Sequence, residues 1–442
     1  MSFFKRILGI FKREETPATS SLSTTSAAPK ARPPAPPPAP ARSVAVSWQE
    51  MLDAQSRLSG YILRPASLRA GGARVSGPEL VAALESEGLA QLLQRRKVLV
   101  PVSPDQWQSA DFSRFVSGNS FFLLSSKDAL HWSAAEWREF VQQIRAVNGQ
   151  IAIDLPLFLI LNDDVASAEM LLLDIEGAAL AGFEKQLRGI RQQHPQMQMV
   201  VYGVSTWDEY RFLMSLGVSF CVGPFATTPD DADKSGQISQ SRLVVIEMLN
   251  MLRSDEELSA IAAVAKRDPA VVLKLLQMAN SPLSGLSRQV SALEDAIQLL
   301  GRDALYRWLS LAMFRIDPCG DRDETLMVIA LSRAAFLESL APESDRQLAG
   351  ELFLVGLFSL IDSLLSMPIE KVLEKMHLPA PVAAVLLRSE GPYARYLMLA
   401  MAMERCRIEQ ALSLCDLLAI DSGEMFKSYS ESMAWANSDE LS

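Results

Sequence analysis

The sequence predicts two folded units of different class, an α/β unit followed by an all-α unit. Between about Trp48 and Pro229, continuous apolar runs alternate with amphipathic helical patterns. From about Gln237 onward one helical pattern follows another, with no strand candidate. A Pro/Ala/Ser-rich stretch precedes both units and sets them apart from the N-terminus. With 442 residues the chain is too long for one ordinary core, and 49% hydrophobic and 21% charged residues make a globular composition.

The opening MSFFKRILGIFKREE places Phe3, Phe4, Ile7, Leu8 and Phe11 beside Lys5, Arg6, Lys12 and Arg13. Phe4, Ile7, Leu8 and Phe11 share one face at helical spacing, so residues 1–15 are expected to form a basic amphipathic helix. Such a helix docks on an anionic membrane surface or in a partner's groove. A frayed tail with accidental periodicity is the alternative for so short a segment. Charges interrupt the apolar run and no small-residue cleavage site follows, which argues against a secretory signal. Residues 16–45, culminating in ARPPAPPPAPAR, cannot bury enough apolar surface to offset their ordering entropy, and are expected to be a disordered tether.

In the unit at 46–229 the strand candidates are VLVPVS at 98–103, SFFLLSS at 120–126, QIAIDLP at 150–156, MLLLDI at 170–175, MVVYGVS at 199–205 and SFCVGPF at 219–225. WSAAEWREFVQQIRAVNG and ALAGFEKQLRGIRQQHP read as helices with polar outer faces, the first closing at Asn148-Gly149. Apolar strands spaced by helices predict parallel β/α units, open or closed into a barrel. In such folds the C-terminal ends of the strands form the mouth where chemistry is placed.

The segment GVSTWDEYRFLMSLGVSFCVGPFATTP at 203–229 resembles the closing section of an EAL domain, the (β/α) barrel that hydrolyses cyclic diguanylate. VPVSPDQW at 100–107, AIDLP at 152–156 and LLLDIEG at 171–177 resemble further segments of the family, in the family's order. The resemblance implies a metal site in which carboxylates and an Asn hold ions that activate water. The residues at those positions differ. The signature Glu falls near Gly60 to Ile62, where no acid stands, and the Asn position is Pro101. The third-strand Glu falls at Leu124 and Ser125; the aspartate pair becomes Asp154 and Leu155; the catalytic Lys becomes Leu172. The last two carboxylates become Tyr202 and Ser205, and the Gln becomes Val222. Asp154 and Asp174 persist, each with a simpler reading as a strand terminator or helix cap. The unit is also shorter than the about 250 residues typical of such a barrel, so elements are expected to be missing or rebuilt.

Residues 230–442 read as an all-α domain. Caps are expected from Ser254-Asp255 before its second helix, from Asp268 with Pro269 at the third, and from Ser291 with Glu294 as a capping box; Gly301 is expected to stop a helix. VAKRDPAVVLKLLQMANSPLSG followed by SALEDAIQLLGRDALYRWL resembles the HDOD domain, a helical relative of metal-dependent HD phosphohydrolases without their catalytic residues. The elements that carry the resemblance are Asp268-Pro269, Asn280-Ser281-Pro282, Ala296-Ile297 and Leu300-Gly301, and a structural or partner-binding role is implied for them. A His-Asp metal dyad is not available, because Ile361 precedes Asp362 and His377 is the domain's one histidine.

A net charge of −10 argues against a general nucleic-acid partner. Cys221, Cys319, Cys406 and Cys415 lack CxxC spacing, so reduced, buried thiols are expected rather than a zinc or dithiol site. No apolar run reaches the roughly 18 residues of a membrane span. The expectation is a bacterial, cytoplasmic, non-catalytic signalling protein of the EAL-HDOD type, peripheral at the inner membrane through its first helix, without a cofactor. It would bind signalling proteins through its helical half and self-associate. The alternatives are a cyclic-diguanylate phosphodiesterase with rebuilt metal ligation, and a receptor without turnover, the latter weakened by the residues at Ile62 and Val222.

Overall fold

The computed structural model describes residues 43–69, 74–161, 168–177, 180–230, 238–280, 290, 292–316 and 320–438. The amphipathic segment expected over 1–15, with Phe3, Phe4, Lys5, Arg6, Ile7, Leu8, Phe11, Lys12 and Arg13, lies outside them, as does the tether up to residue 42.

Eight strands close into a barrel in chain order. They are β1 (Val44–Leu52), β2 (Leu58–Ser67), β3 (Lys97–Pro101), β4 (Ser120–Leu124), β5 (Gln150–Asp154), β6 (Met170–Asp174), β7 (Gln198–Tyr202) and β8 (Phe220–Val222). β1 runs antiparallel to both β2 and β8, and the pairs from β2–β3 to β7–β8 are parallel. The helices of this unit are α1 (Gly77–Ser86), α2 (Leu89–Leu92), α3 (Pro104–Ser109), α4 (Ala134–Ala146), α5 (Leu155–Leu161), α6 (Leu180–Gln193) and α7 (Trp207–Ser215). Ser103, Ser133 and Thr206 cap α3, α4 and α7, and Asn148 closes α4 at φ 60°.

The six predicted strands are β3 to β8. β1 and β2 were not predicted, and the expected loss of barrel elements does not hold, because these two complete the closure. The unit is short in part because a turn over residues 53–57, rather than a helix, joins β1 to β2; the Asp53 carboxylate accepts the Gln55 and Arg57 amides there. β1 escapes a period-two reading because Val44 to Trp48 are all buried, one face in the barrel wall and the other under the second unit. The barrel interior is packed with Met51, Ile62, Leu99, Leu123, Leu172, Val200 and Val222, so it is a core and not a channel.

The second unit comprises α8 (Gln240–Arg253), α9 (Leu258–Ala265), α10 (Pro269–Ala279), α11 (Leu293–Arg315), α12 (Asp321–Ser339), α13 (Arg346–Phe358), α14 (Ile361–Leu365), α15 (Ile369–Leu373), α16 (Ala380–Arg388), α17 (Ala394–Glu404), α18 (Ile408–Leu418) and α19 (Ser422–Ala436). Among the described residues it contains no strand. Gly301 interrupts α11 with φ 73° and ψ 175°, a conformation costly for any side-chain-bearing residue, so the helix stops and restarts there.

Two expected caps are corrected. Ser254 ends α8 and Asp255 turns the chain at φ 59°, so α9 begins only after Glu257. Ala292 occupies the N-cap of α11, which puts Glu294 at the second helical position instead of the third that a capping box requires. Ser291 lies outside the described residues. One segment, Arg346–Leu365, is long and apolar enough to span a membrane by length and composition alone. Of its apolar window 67% is buried among the other helices, as a core helix requires. The apolar layer outside the barrel is continuous with the core of the helical unit.

Candidate functional site

The parallel strands β2 to β8 direct their C-terminal ends to one mouth. Side chains alternate along a strand, so the inward positions of Leu99, Leu123, Ala152, Leu172 and Val200 extend to Pro101, Ser125, Asp154, Asp174 and Tyr202 at the rim. Asp154 is fully engaged locally: Oδ1 accepts the Leu157 amide at 2.9 Å, capping α5, and Oδ2 accepts the Ser125 hydroxyl at 2.5 Å. Asp174 Oδ1 accepts the Glu176 amide at 2.9 Å and its carboxylate also pairs with the Tyr202 hydroxyl. Burial, with Asp174 alongside, pushes the Tyr202 phenol up to about 12, so it stays protonated as a donor. Arg64 stands over the Tyr202 ring at 5.6 Å and donates to Gln49 Oε1 at 3.0 Å. Ser205 sits at the start of α7, its amide bonded to Glu209.

These residues do not fit a two-metal site. Among the described residues the acids there are Asp154 and Asp174, both holding turns, with Asp128 beside Asp154, while Pro101, Leu172 and Val222 supply no ligand atom. Among the described residues no three of His, Cys, Asp and Glu come together in a metal-ligating group.

The motif positions of the helical unit form supports. Asp268 Oδ1 accepts the amides of Ala270 at 2.8 Å and Val271 at 3.3 Å, with Pro269 opening α10, and its Oδ2 accepts the Ser241 hydroxyl of α8 at 2.6 Å. These bonds hold its carboxyl below the usual range, the Ser241 hydroxyl contributing most. Asn280 clamps Val290 by a reciprocal pair, Nδ2 to the carbonyl and Oδ1 from the amide, both 2.7 Å. Ser281 and Pro282 fall in the segment between these two residues and lie outside the described residues. Ala296 is buried with Ala279, Val290 and Trp308, next to the break at Gly301. Asp268 thus ties the start of α10 to α8, and Asn280 ties the end of α10 to Val290 ahead of α11.

The residues that sequence reading missed lie where the helical unit meets the barrel. Thr325 of α12, 2% exposed, accepts the Leu58 amide and donates to the Ser56 carbonyl, each at 2.9 Å. Tyr61 of β2 donates to Asn437 Oδ1 at 2.9 Å, and Ser363 to the Thr227 carbonyl at 3.0 Å. Behind them Arg333, 5% exposed, grips Glu404 of α17 with two bonds of 2.7 Å and Ser359 with a third of 2.6 Å, while Glu50 of β1 faces the same pair. Thr, Tyr and Glu occupy ordinary helical or strand positions in the sequence, so no local pattern announces these contacts.

Comparison with known proteins matches residues 240–375 to the HDOD domain family. The chain is 27% identical over 237 residues to the uncharacterized protein YuxH of Bacillus subtilis, covering 53% of this chain and 57% of that protein. It is 25% identical over 266 residues to the cyclic di-GMP phosphodiesterase CdgJ of Vibrio cholerae, covering 60% of this chain and 61% of that one. The match thus spans about three fifths of these curated relatives' length. Among solved structures, BlrP1 of Klebsiella pneumoniae in a manganese/cy-diGMP complex aligns at 16% identity with a TM-score of 0.32, over 43% of this chain and 56% of that one. A standalone EAL protein of Vibrio cholerae O395, in its c-di-GMP-bound form, aligns at 14% identity with a TM-score of 0.32, over 41% and 89%. Residues 240–375 match the HDOD domain, and they follow a closed eight-stranded barrel.

Proposed function

We propose that this chain is a non-catalytic signalling protein in cyclic-di-GMP-linked regulation, acting by binding regulatory partners. What supports this reading is the mouth of the barrel, where Asp154 and Asp174 hold turns, together with the resemblance that sets Pro101, Leu172, Tyr202 and Val222 at positions an EAL hydrolase would use. Water activation by two metals needs several free carboxylates converging on one point, and among the described residues no such set is found. The helical unit recruits signalling proteins, and the barrel serves as their platform and as a surface for self-association. The basic segment at 1–15 carries the assembly to the inner face of the membrane, in the cytoplasm.

The kinship with CdgJ favours a second reading, a cyclic-di-GMP phosphodiesterase. Isothermal titration of the whole protein with cyclic di-GMP, with magnesium or manganese present and a product assay on the same mixture, separates the two. Neither heat of binding nor product is the expected result. Binding without product makes the barrel a receptor, and product that persists on repurified protein overturns the non-catalytic reading.

A further inference from the structure

We propose that the cleft between the barrel and the end of α19 binds a small organic oxyanion, a carboxylate or a phosphoryl ester. The cleft has a volume of about 260 Å³ and opens beside the start of β3, at the end of the parallel strands away from the mouth. Three pieces of chain build it: Trp48 of β1, the stretch from Glu87 through α2 to Arg96, and the end of α19 with Asn437. Alternation puts Met51 inside the barrel and Trp48 on its outer face, against α19. Gly88, at φ 67°, turns the chain between α1 and α2 and so brings Glu87, Gln91 and Arg96 to one place.

The polar groups of the cleft are mainly donors, and two of them lack acceptors. Trp48 is 1% exposed, and its indole N–H has no hydrogen-bond partner among the described residues. A buried donor left so costs about 1–3 kcal/mol, which an acceptor held in the cleft removes. Arg96 is half-buried and gives Nη1 to the Leu58 carbonyl, while its Nε and Nη2 make no hydrogen bond or ion pair among the described residues. The lining sets two guanidinium groups, Arg95 and Arg96, against one carboxylate, Glu87. Forked N–H donors on a wall of net positive charge match the paired oxygens of a carboxylate or phosphoryl group. Drug-sized ligands fill pockets from about 300 Å³ upward, so this cleft suits a smaller acid and not a cyclic dinucleotide. Asn437 is spent on the seam, with Oδ1 accepting the Tyr61 hydroxyl at 2.9 Å and Nδ2 donating to the Met433 carbonyl at 2.8 Å. Because the walls come from both units, the occupant binds only while α19 is docked, and it stabilises that contact by mass action.

The test is proton–nitrogen NMR on the full chain labelled with nitrogen-15 tryptophan, in which Trp48→Phe identifies the Trp48 indole among seven. Inorganic phosphate and succinate are titrated in separate arms at millimolar concentration, against sodium chloride of equal ionic strength. The expected result is a saturable downfield shift of the Trp48 indole proton with one probe or both, the Trp137 indole unmoved, and binding about tenfold weaker in Arg96→Gln. A response to phosphate alone assigns a phosphoryl ligand, and a response to succinate alone a carboxylate. No shift with either probe, a shift that chloride reproduces, or full affinity in Arg96→Gln overturns the inference. Should Arg96→Gln not fold for want of its bond to Leu58, Gln91→Glu decides, since it sets a carboxylate at an exposed position of the lining. Affinity that falls about tenfold there supports the inference, and unchanged affinity overturns it.

Discussion

The mouth of the barrel and the seam under the helical unit use polar side chains in opposite ways. At the mouth, Asp154 bonds Leu157 three residues on, and Asp174 bonds Glu176 two residues on. At the seam, Thr325 bonds Leu58 across 267 positions and Tyr61 bonds Asn437 across 376. The acids of the mouth keep strands and turns in shape, and the hydroxyls of the seam fix one unit against the other, with the Arg333–Glu404 pair tying α12 to α17 inside the helical unit. The mouth of the barrel is held by bonds within the barrel, and its flank is bonded to the second unit.

The largest effect that breaks this comparison should come from Arg333→Met. It strips the cation from Glu404 and leaves a buried carboxylate unpaired, for an expected loss of about 3–5 kcal/mol in urea unfolding. A loss below about 1 kcal/mol would show that the seam takes up water and that the ion pair is incidental. Next, Gly356→Ala places a Cβ 2.5 Å from Ala334 Cα, where α13 crosses α12, with an expected cost of about 1–3 kcal/mol. Gly350→Ala in the same helix meets nothing within 4 Å and should be neutral or stabilising by up to about 1 kcal/mol. Equal effects at both positions would mean that α13 does not press on α12.

Thr325→Val leaves the Leu58 amide without its acceptor and should cost about 1–3 kcal/mol, read from the same unfolding curves. At the mouth, Asp154→Ala removes a cap for about 1 kcal/mol, and Tyr202→Phe should stay within about 0.5 kcal/mol. Neither mouth substitution should change any cyclic-di-GMP signal in the titration. A mouth variant that abolished binding while the seam variants left it intact would reverse the assignment of the two regions.

Much of the architecture was legible because it rests on local rules. β3 to β8 declare themselves as apolar runs, Asp268-Pro269 as a helix start, Asn148 and Gly301 as breaks. β1 was not legible, because a strand buried on both faces next to an Ala-rich tether has no alternation to show, and β2, buried continuously from Gly60 to Leu63, shows none either. The mouth residues were legible as positions, since each strand end could be read off the sequence, and Asp154 was foreseen as a cap. The misplaced caps at Ser254 and Ser291 show the limit of that reading. Where a helix begins is set within one or two residues by the turn before it, as Asp255 at φ 59° illustrates.

By itself the sequence determined the two fold classes, the all-α character of the second unit and the side chains available at each strand end, because hydrophobic period and turn chemistry act over a few residues. Only the tertiary structure decided that eight strands close the barrel, and that Thr325 meets the Leu58 amide and Tyr61 meets Asn437 at one seam. Closure and the seam depend on residues hundreds of positions apart meeting in a water-poor interface, where each polar group needs a partner that no local stretch of chain supplies.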